Sequence, residues 1–325
     1  MTSLHSNNEW DQLKKVIVGI ADHARIPDMD VSLRTVNYSH IKNLREAPNP
    51  GLYPIQVIEE ANEDLEILCE NLIKLNIEVV RPKNEPTKYY NYCPRDLVTV
   101  IKDNAYATPM SLQCRKDEYK NLEYLFENLT VLPNDIGDNN YNDKSIGNKD
   151  LLALNEFYPK FDAANLIRAN DDILYLVSNT GNKRGAEYLQ RILENSNIKV
   201  HTIENIYSYI HIDSTIAFLR EGLMLLNPER VKDKSVLPKP FCDWDAIYAP
   251  EPVNIGYYPG YNNASKWVSV NLLSINPNLV VLEERQTNLA KELEKYNIES
   301  LMLPMRHART LGGCFHCVTV DMVRG

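Results

Sequence analysis

Five strand-like segments begin at residues able to do chemistry: Asp96 before LVTV, Asp162 before AANLI, His211 before IDSTIAF, Ser265 before KWVSVNLL and Cys317 before VTVDM. The intervals between them are 66, 49, 54 and 52 residues, a near-regular spacing. Asp213 follows His211 closely. If these segment starts converge, one pocket collects a thiol, an imidazole and several carboxylates, which is a catalytic inventory. A cysteine thiolate is a strong nucleophile even when only partly ionised. An imidazole beside it can hold or deliver a proton. Ionised carboxylates accept paired hydrogen bonds and match the planar fork of a guanidinium. The combination suits attack on a cationic, nitrogen-rich carbon. Attack on an amidino carbon gives a covalent amidino-thioether, which a second amine or water then resolves. Each residue alone has a plainer reading. Cys is among the most buried residue types, Asp often serves in turns and caps, and Arg230 after Asn-Pro-Glu reads equally as a surface turn.

Strands and helices alternate around these residues. Lys15–Gly19 (KVIVG) reads as a short buried strand. Ile58, Ala61, Leu65, Leu68, Leu72 and Leu75 recur at steps of three and four, the apolar face of a helix, and IEVVRP then reads as a strand stopped by Pro82. Gly185–Leu193 and Thr287–Lys295 are further helix candidates, and IAFLR, GLMLLN, VSVNLL, LVVLEE and CVTVDM read as strands. Ala164–Ile203 runs strand, strand, helix, strand; Trp267–Leu303 repeats that order, and Leu97–Leu132 follows it more loosely. Repetition at a fixed period is a fold-level signal. Five such modules predict an α/β propeller, with equivalent strand ends meeting at a central pocket. Pro133–Asp150, rich in Asn, Asp and Gly, reads as a long surface loop.

Bulk properties narrow the function. A net charge of −9 argues against nucleic acid as partner, because that affinity rests on neutralising phosphates with Lys and Arg. It suits a cationic small molecule better. No apolar run approaches the ~20 residues of a membrane span, and MTSLHSNNEWDQLKK has neither an apolar core nor the Arg content of a targeting segment. The six cysteines, Cys69, Cys93, Cys114, Cys242, Cys314 and Cys317, are scattered rather than spaced as a disulfide framework, so a reducing cytoplasm is expected.

The motifs that hold these residues resemble those of the amidinotransferases nearly end to end. They are NEWDQLKKVIVG (Asn8–Gly19), CPRD (Cys93–Asp96), FDAANLIR (Phe161–Arg168), HIDSTIAFL (His211–Leu219), LLNPER (Leu225–Arg230), SKWVSVNLL (Ser265–Leu273) and LGGCFHCVTVD (Leu311–Asp321). The resemblance implies the pentein fold, a five-bladed pseudo-symmetric α/β-propeller of ββαβ modules around a central active site, with residues 1–325 forming a single domain. It implies Cys317 as nucleophile, His211 as general acid/base, and Asp162 and Asp96 as the carboxylates that grip a guanidinium. Asp213 and Arg230 are implied as substrate-binding residues, Arg230 for a carboxylate, with Ala264 and Ser265 beside the substrate. The implied donor is L-arginine, the product ornithine and the second substrate an amine. No cofactor and no metal are implied, and a homodimer is one assembly the chain could adopt.

Two departures bear on detail. Relatives usually carry a third glycine where this chain has Cys314. Cys314-Phe-His-Cys317 lacks the second ligand pair of a structural zinc site. Cys314 therefore reads as a small filler, the alternative being a disulfide that masks Cys317. Glycine-specific members carry Asn-Pro-Met before His-Ile-Asp, and here Ser208-Tyr209-Ile210 stands there. YLVSNTGN and HIDSTI are nearer to the inosamine-phosphate branch, so an acceptor larger than glycine is expected. The competing reading is a guanidino-group hydrolase of the arginine or agmatine deiminase type, which shares the inventory and uses water. A non-catalytic scaffold would have lost part of that inventory.

Overall fold

Four tight turns of two residues each, at Lys102–Asp103, Asn170–Asp171, Glu221–Gly222 and Pro277–Asn278, fold neighbouring strands into antiparallel pairs. Lys102, Asn170 and Gly222 take positive φ there, as short hairpin turns require. The computed structural model describes residues 4–41, 43, 47–134, 138–204 and 206–325. A third strand joins each pair in parallel after a crossover. The result is sheets of Val98–Ile101, Asn104–Ala107 and Leu129–Val131; of Leu166–Ala169, Asp172–Leu176 and Lys199–Ile203; of Ile216–Arg220, Leu223–Leu226 and Asp245–Tyr248; and of Leu273–Asn276, Leu279–Glu283 and Glu299–Leu303. The fifth sheet pairs Thr319–Arg324 antiparallel with Leu13–Val18, which pairs parallel with Glu78–Val80. Both ends of the chain thus share one sheet. The class is α/β, and among the described residues no sheet closes on itself.

The crossovers explain why the order was plain in Ala164–Ile203 and Trp267–Leu303 and looser in Leu97–Leu132. Ile55–Lys74, Lys183–Ile192 and Thr287–Glu294 are helices, and each is followed by Asn-Ile. Asn76, Asn197 and Asn297 take the left-handed conformation that ends the crossover, and Ile77, Ile198 and Ile298 are buried as the next strand begins. In the long helix Ile58, Ala61, Leu65, Leu68 and Leu72 face the core, but Leu75 is its C-cap and is exposed. The other two crossovers use short 3-10 turns, such as Gln113–Arg115 and Phe241–Asp243, which carry no 3.6-residue period. VSVNLL is not a strand throughout: Lys266–Val270 is a 3-10 turn capped by the Ser265 hydroxyl, and the strand begins at Leu273.

One strand from each of the five three-stranded sheets contributes to a single buried polar hub. Arg168 donates to Val100 O (2.6 Å), to Glu9 (2.8 and 3.0 Å) and to Asp321. Asp321 also accepts from Arg95 and from Arg324 (2.8 Å); Arg324 reaches Ser274 O (2.8 Å), and Ser274 Oγ donates to Phe218 O (3.3 Å). Burial opposes the charge on Asp321, but Arg95, Arg324 and Arg168 hold its carboxyl well below the ordinary range. Such a network is favourable only when every member is satisfied.

Candidate active site

A 3-10 turn precedes the first strand of four sheets: Pro94–Asp96, Ala163–Asn165, Ile212–Ser214 and Lys266–Val270. Asp162, His211 and Ser265 are the residues that open three of these turns, and Asp96 closes the fourth. Asp162, His211 and Ser265 have the extended backbone of cap positions. The turns contact one another, and Cys317 lies just before Thr319–Arg324. All eight residues singled out in the sequence line one cleft of about 830 Å³.

Five of them form its floor. His211 Nε2 lies 3.1 Å from Asp162 Oδ2, and Nδ1 lies 3.5 Å from Asp96 Oδ1. Asp162 Oδ1 accepts from Ser111 N (2.8 Å). Arg115 fixes the other oxygen of Asp96 at 2.5 Å and bonds Glu118 at 2.7 Å. Asp96 Oδ1 is buried without a hydrogen-bond partner, an acceptor open to a ligand N–H. Asp213 Oδ2 accepts from the Cys317 thiol (3.1 Å) and from His316 Nδ1 (3.0 Å). The remaining three form the wall. Arg230 Nη1 is held by Ser208, Ser214 and Thr215, and Ala264 and Ser265 lie on the rim.

Burial opposes an imidazolium at His211, but Asp96 and the Asp162 hydrogen bond outweigh it and raise His211 well above its ordinary value. Burial pushes the Asp96 carboxyl up, and His211 and Arg115 offset only part of that. For Asp213, burial is outweighed by His316 and His211, which hold it down at about 2. The Cys317 thiol is pushed well up by its Cys93 contact, by burial and by Asp213, with His211 acting the other way.

The sequence reading missed several partners. The thiol set against Cys317 is that of Cys93: a Cβ added to Gly313 would lie 2.6 Å from both Cys317 Cβ and Cys93 Sγ. Gly313 is thus required by close packing, and Gly312 by its φ of +88° at the end of Ala308–Leu311. Cys314 is buried in the apolar core and, like the other cysteines, free. Arg115, Glu118 and Ser111 belong to no motif that would have flagged them. His316 and Asn271 sit inside quoted motifs, but only their placement beside Asp213 and Cys317 distinguishes them. Ser145, Gly147, Asn148 and Lys149 of the polar loop border the cleft, with Gly147 N on Ser39 O at 2.8 Å, whereas residues 135–137 lie outside the described residues. Among the described residues no group of His, Cys, Asp and Glu could hold a metal, and no helix is long and apolar enough to cross a membrane.

No family model matches the chain. The inosamine-phosphate amidinotransferase 1 of Streptomyces glaucescens is 38% identical over 344 residues, covering 100% of this chain and 97% of that protein. The L-arginine:L-lysine amidinotransferase of Pseudomonas savastanoi pv. phaseolicola is 31% identical, covering 98% and 94%. The mitochondrial glycine amidinotransferase of Gallus gallus is 30% identical, covering 98% and 82%. Among solved structures, the inosamine-phosphate amidinotransferase of Streptomyces griseus superposes with a TM-score of 0.94 at 35% identity, covering 99% of this chain and 97% of the other. The N-terminal domain of a cyanobacterial arginine dihydrolase, at 15% identity and a TM-score of 0.65, covers 97% and 98%, a likeness of fold.

Proposed function

The chain belongs to the amidinotransferase family, and on that premise we propose that it lifts the amidino group of L-arginine onto Cys317 and passes it to an amine larger than glycine. The observation that carries this reading is the floor of the cleft, where a thiol and an imidazole stand among Asp96, Asp162 and Asp213. The guanidinium of arginine lies between Asp162 and the Asp96 oxygen that lacks a hydrogen bond, and Arg230 takes its carboxylate. The added positive charge beside the sulfur favours the thiolate, and the thiol proton leaves to solvent as arginine binds, before the S–C bond forms. The thiolate attacks the guanidino carbon, the S–C bond forms, and the bond from that carbon to the side-chain nitrogen of ornithine breaks. His211, as imidazolium, gives its proton to that leaving nitrogen. Neutral His211 then takes a proton from the incoming amine as it attacks the amidino carbon, and the S–C bond breaks to restore the thiolate.

The five sheets act as propeller blades of one domain spanning residues 1–325. Support comes from their contacts, which run from each sheet to the next and close through Arg168 on Val100 O. Support for a larger acceptor comes from the wall. Tyr209 of Ser208-Tyr209-Ile210 bonds Ser39 Oγ (2.9 Å) and Asn37 O (3.0 Å), fixing one side of a cleft far roomier than glycine needs. One methylene in such a pocket is worth ~1–3 kcal/mol of discrimination.

The test gives the arginine-loaded protein glycine, L-lysine, a diamine and an aminocyclitol phosphate at equal concentration, with ornithine and new guanidino compounds read by mass spectrometry. Ornithine and a large guanidino product are expected. Glycine winning by about tenfold or more in kcat/KM refutes the acceptor class, and citrulline formed without any amine refutes transfer in favour of hydrolysis.

A further inference from the structure

We propose that Asn271 is a catalytic residue whose side-chain N–H donates to the Cys317 sulfur and favours its thiolate. The proposal rests on Cys317 being the nucleophile. Asn271 follows the capped turn Lys266–Val270 and is buried beneath the cleft. Its Oδ1 accepts two backbone N–H groups, from Cys314 (3.0 Å) and Cys317 (3.1 Å). That double acceptance sets which end of the amide is oxygen. The Nδ2 end is left facing Cys317 Sγ at 3.0 Å.

The sulfur therefore sits between an acceptor and a donor. Its proton, when present, points to Asp213 Oδ2; without that proton, the sulfur accepts from Asn271. The Cys93 contact, burial and Asp213 favour the protonated form and His211 opposes them; the Asn271 N–H at 3.0 Å is a further donor on the thiolate's side. A hydrogen bond to a charged atom is stronger than one to its neutral form, so the donor favours thiolate over thiol. It also aims the sulfur. The same bond weakens when the sulfur becomes a thioether and re-forms when the thiolate departs, so Asn271 assists both half-reactions.

The plainer role, tying the Cys314–Cys317 loop through Oδ1, is separable. Asn271→Asp keeps an oxygen for the two backbone N–H groups and replaces the donor with a carboxylate oxygen. The pH dependence of Cys317 alkylation by iodoacetamide, with sites mapped by mass spectrometry, reads the thiolate independently of turnover. In N271D the midpoint is expected to rise by about one pH unit or more, and loading by arginine to slow ~10–100-fold with KM nearly unchanged. Asn271→Ala should do the same and also lower Tm, because the loop tie is lost. In the wild type, the Asn271 side-chain amide resonance should titrate with the alkylation midpoint, a readout that needs no variant to fold. An unmoved midpoint in folded N271D, or a resonance that does not titrate with Cys317, overturns the proposal. Failure of the wild type to form an arginine-derived adduct on Cys317 would instead overturn the nucleophile itself.

Discussion

Replacing Asp162 by Asn removes one negative charge at nearly constant size. The carboxylate is buried, with Oδ1 on Ser111 N at 2.8 Å and Oδ2 on His211 Nε2 at 3.1 Å. Asn can keep the Ser111 bond through its own Oδ1. It then presents an NH2 to a ring nitrogen that also carries a proton, so two donors face each other. The charge-assisted bond to His211 is lost, at ~1.5–3 kcal/mol, and so is a guanidinium contact of similar size in the loaded site. Together they slow loading by ~10²–10⁴-fold. The pH profile moves as well. The proton His211 donates is present below its folded value and lost as pH rises through it. Asp96 and the Asp162 bond, acting against burial, raise that value, so removing Asp162 shifts the alkaline limb to lower pH. Rapid-quench loading with labelled arginine, followed by intact mass across the neutral and alkaline range, measures both effects. Asn also serves as a cap, so the turn Ala163–Asn165 should survive and the protein should still fold, with Tm lowered by the lost His211 bond. Loading within about threefold of wild type, with an unmoved alkaline limb, would reduce Asp162 to a structural cap.

Cys317→Ala should abolish the amidino adduct seen by intact mass, while Cys314→Ser should still form it; an adduct mapping to Cys314 or Cys93 would reassign the nucleophile. Asp321→Asn leaves Arg95, Arg168 and Arg324 short of their shared anion and should cost ~3–5 kcal/mol in denaturant unfolding. Asp321 and Asp213 are both held below their ordinary 3.8, Asp213 at about 2, so their contribution is complete above that ordinary value and drains as pH falls through the folded ones. D321N should therefore flatten the acid limb of stability as well as lower its plateau.

Much of this arrangement was legible because chemistry and repeat coincide. Asp96, Asp162, His211 and Cys317 could be aligned because each stands just ahead of a strand of buried residues, and the structure brings all four to one cleft. The helical crossovers were legible from their apolar period. The crossovers after Ala107 and Leu226 were not, because short 3-10 turns leave no such period. VSVNLL misled because its alternating Val residues mimic a strand while Ser265 caps a turn. Arg115 and Glu118 were invisible for a different reason. They reach the site from a connection in which local sequence has no reason to hold an ion pair; only the fold sets Arg115 against Asp96.

On the proposed chemistry, the resting protonation pattern makes the substrate its own trigger. The Cys93 contact, burial and Asp213 hold Cys317 as a thiol, and Asp96 with the Asp162 bond holds His211 as an imidazolium. That pair is set wrongly for attack and rightly for the step after it, in which the leaving nitrogen needs a proton. A guanidinium entering the floor meets Asp162 and Asp96 Oδ1, which lacks a hydrogen bond, and it sets a positive charge beside the sulfur. An opposite charge at that range lowers a thiol's pKa, and Asp96 with the Asp162 bond favours the proton on His211 against the new cation. The ligand that completes the hydrogen bonding of the carboxylates is therefore the ligand that makes the sulfur nucleophilic. A neutral compound of the same shape can donate N–H groups to the carboxylates but sets no positive charge beside the sulfur, so selectivity for the donor and activation of Cys317 come from one electrostatic arrangement.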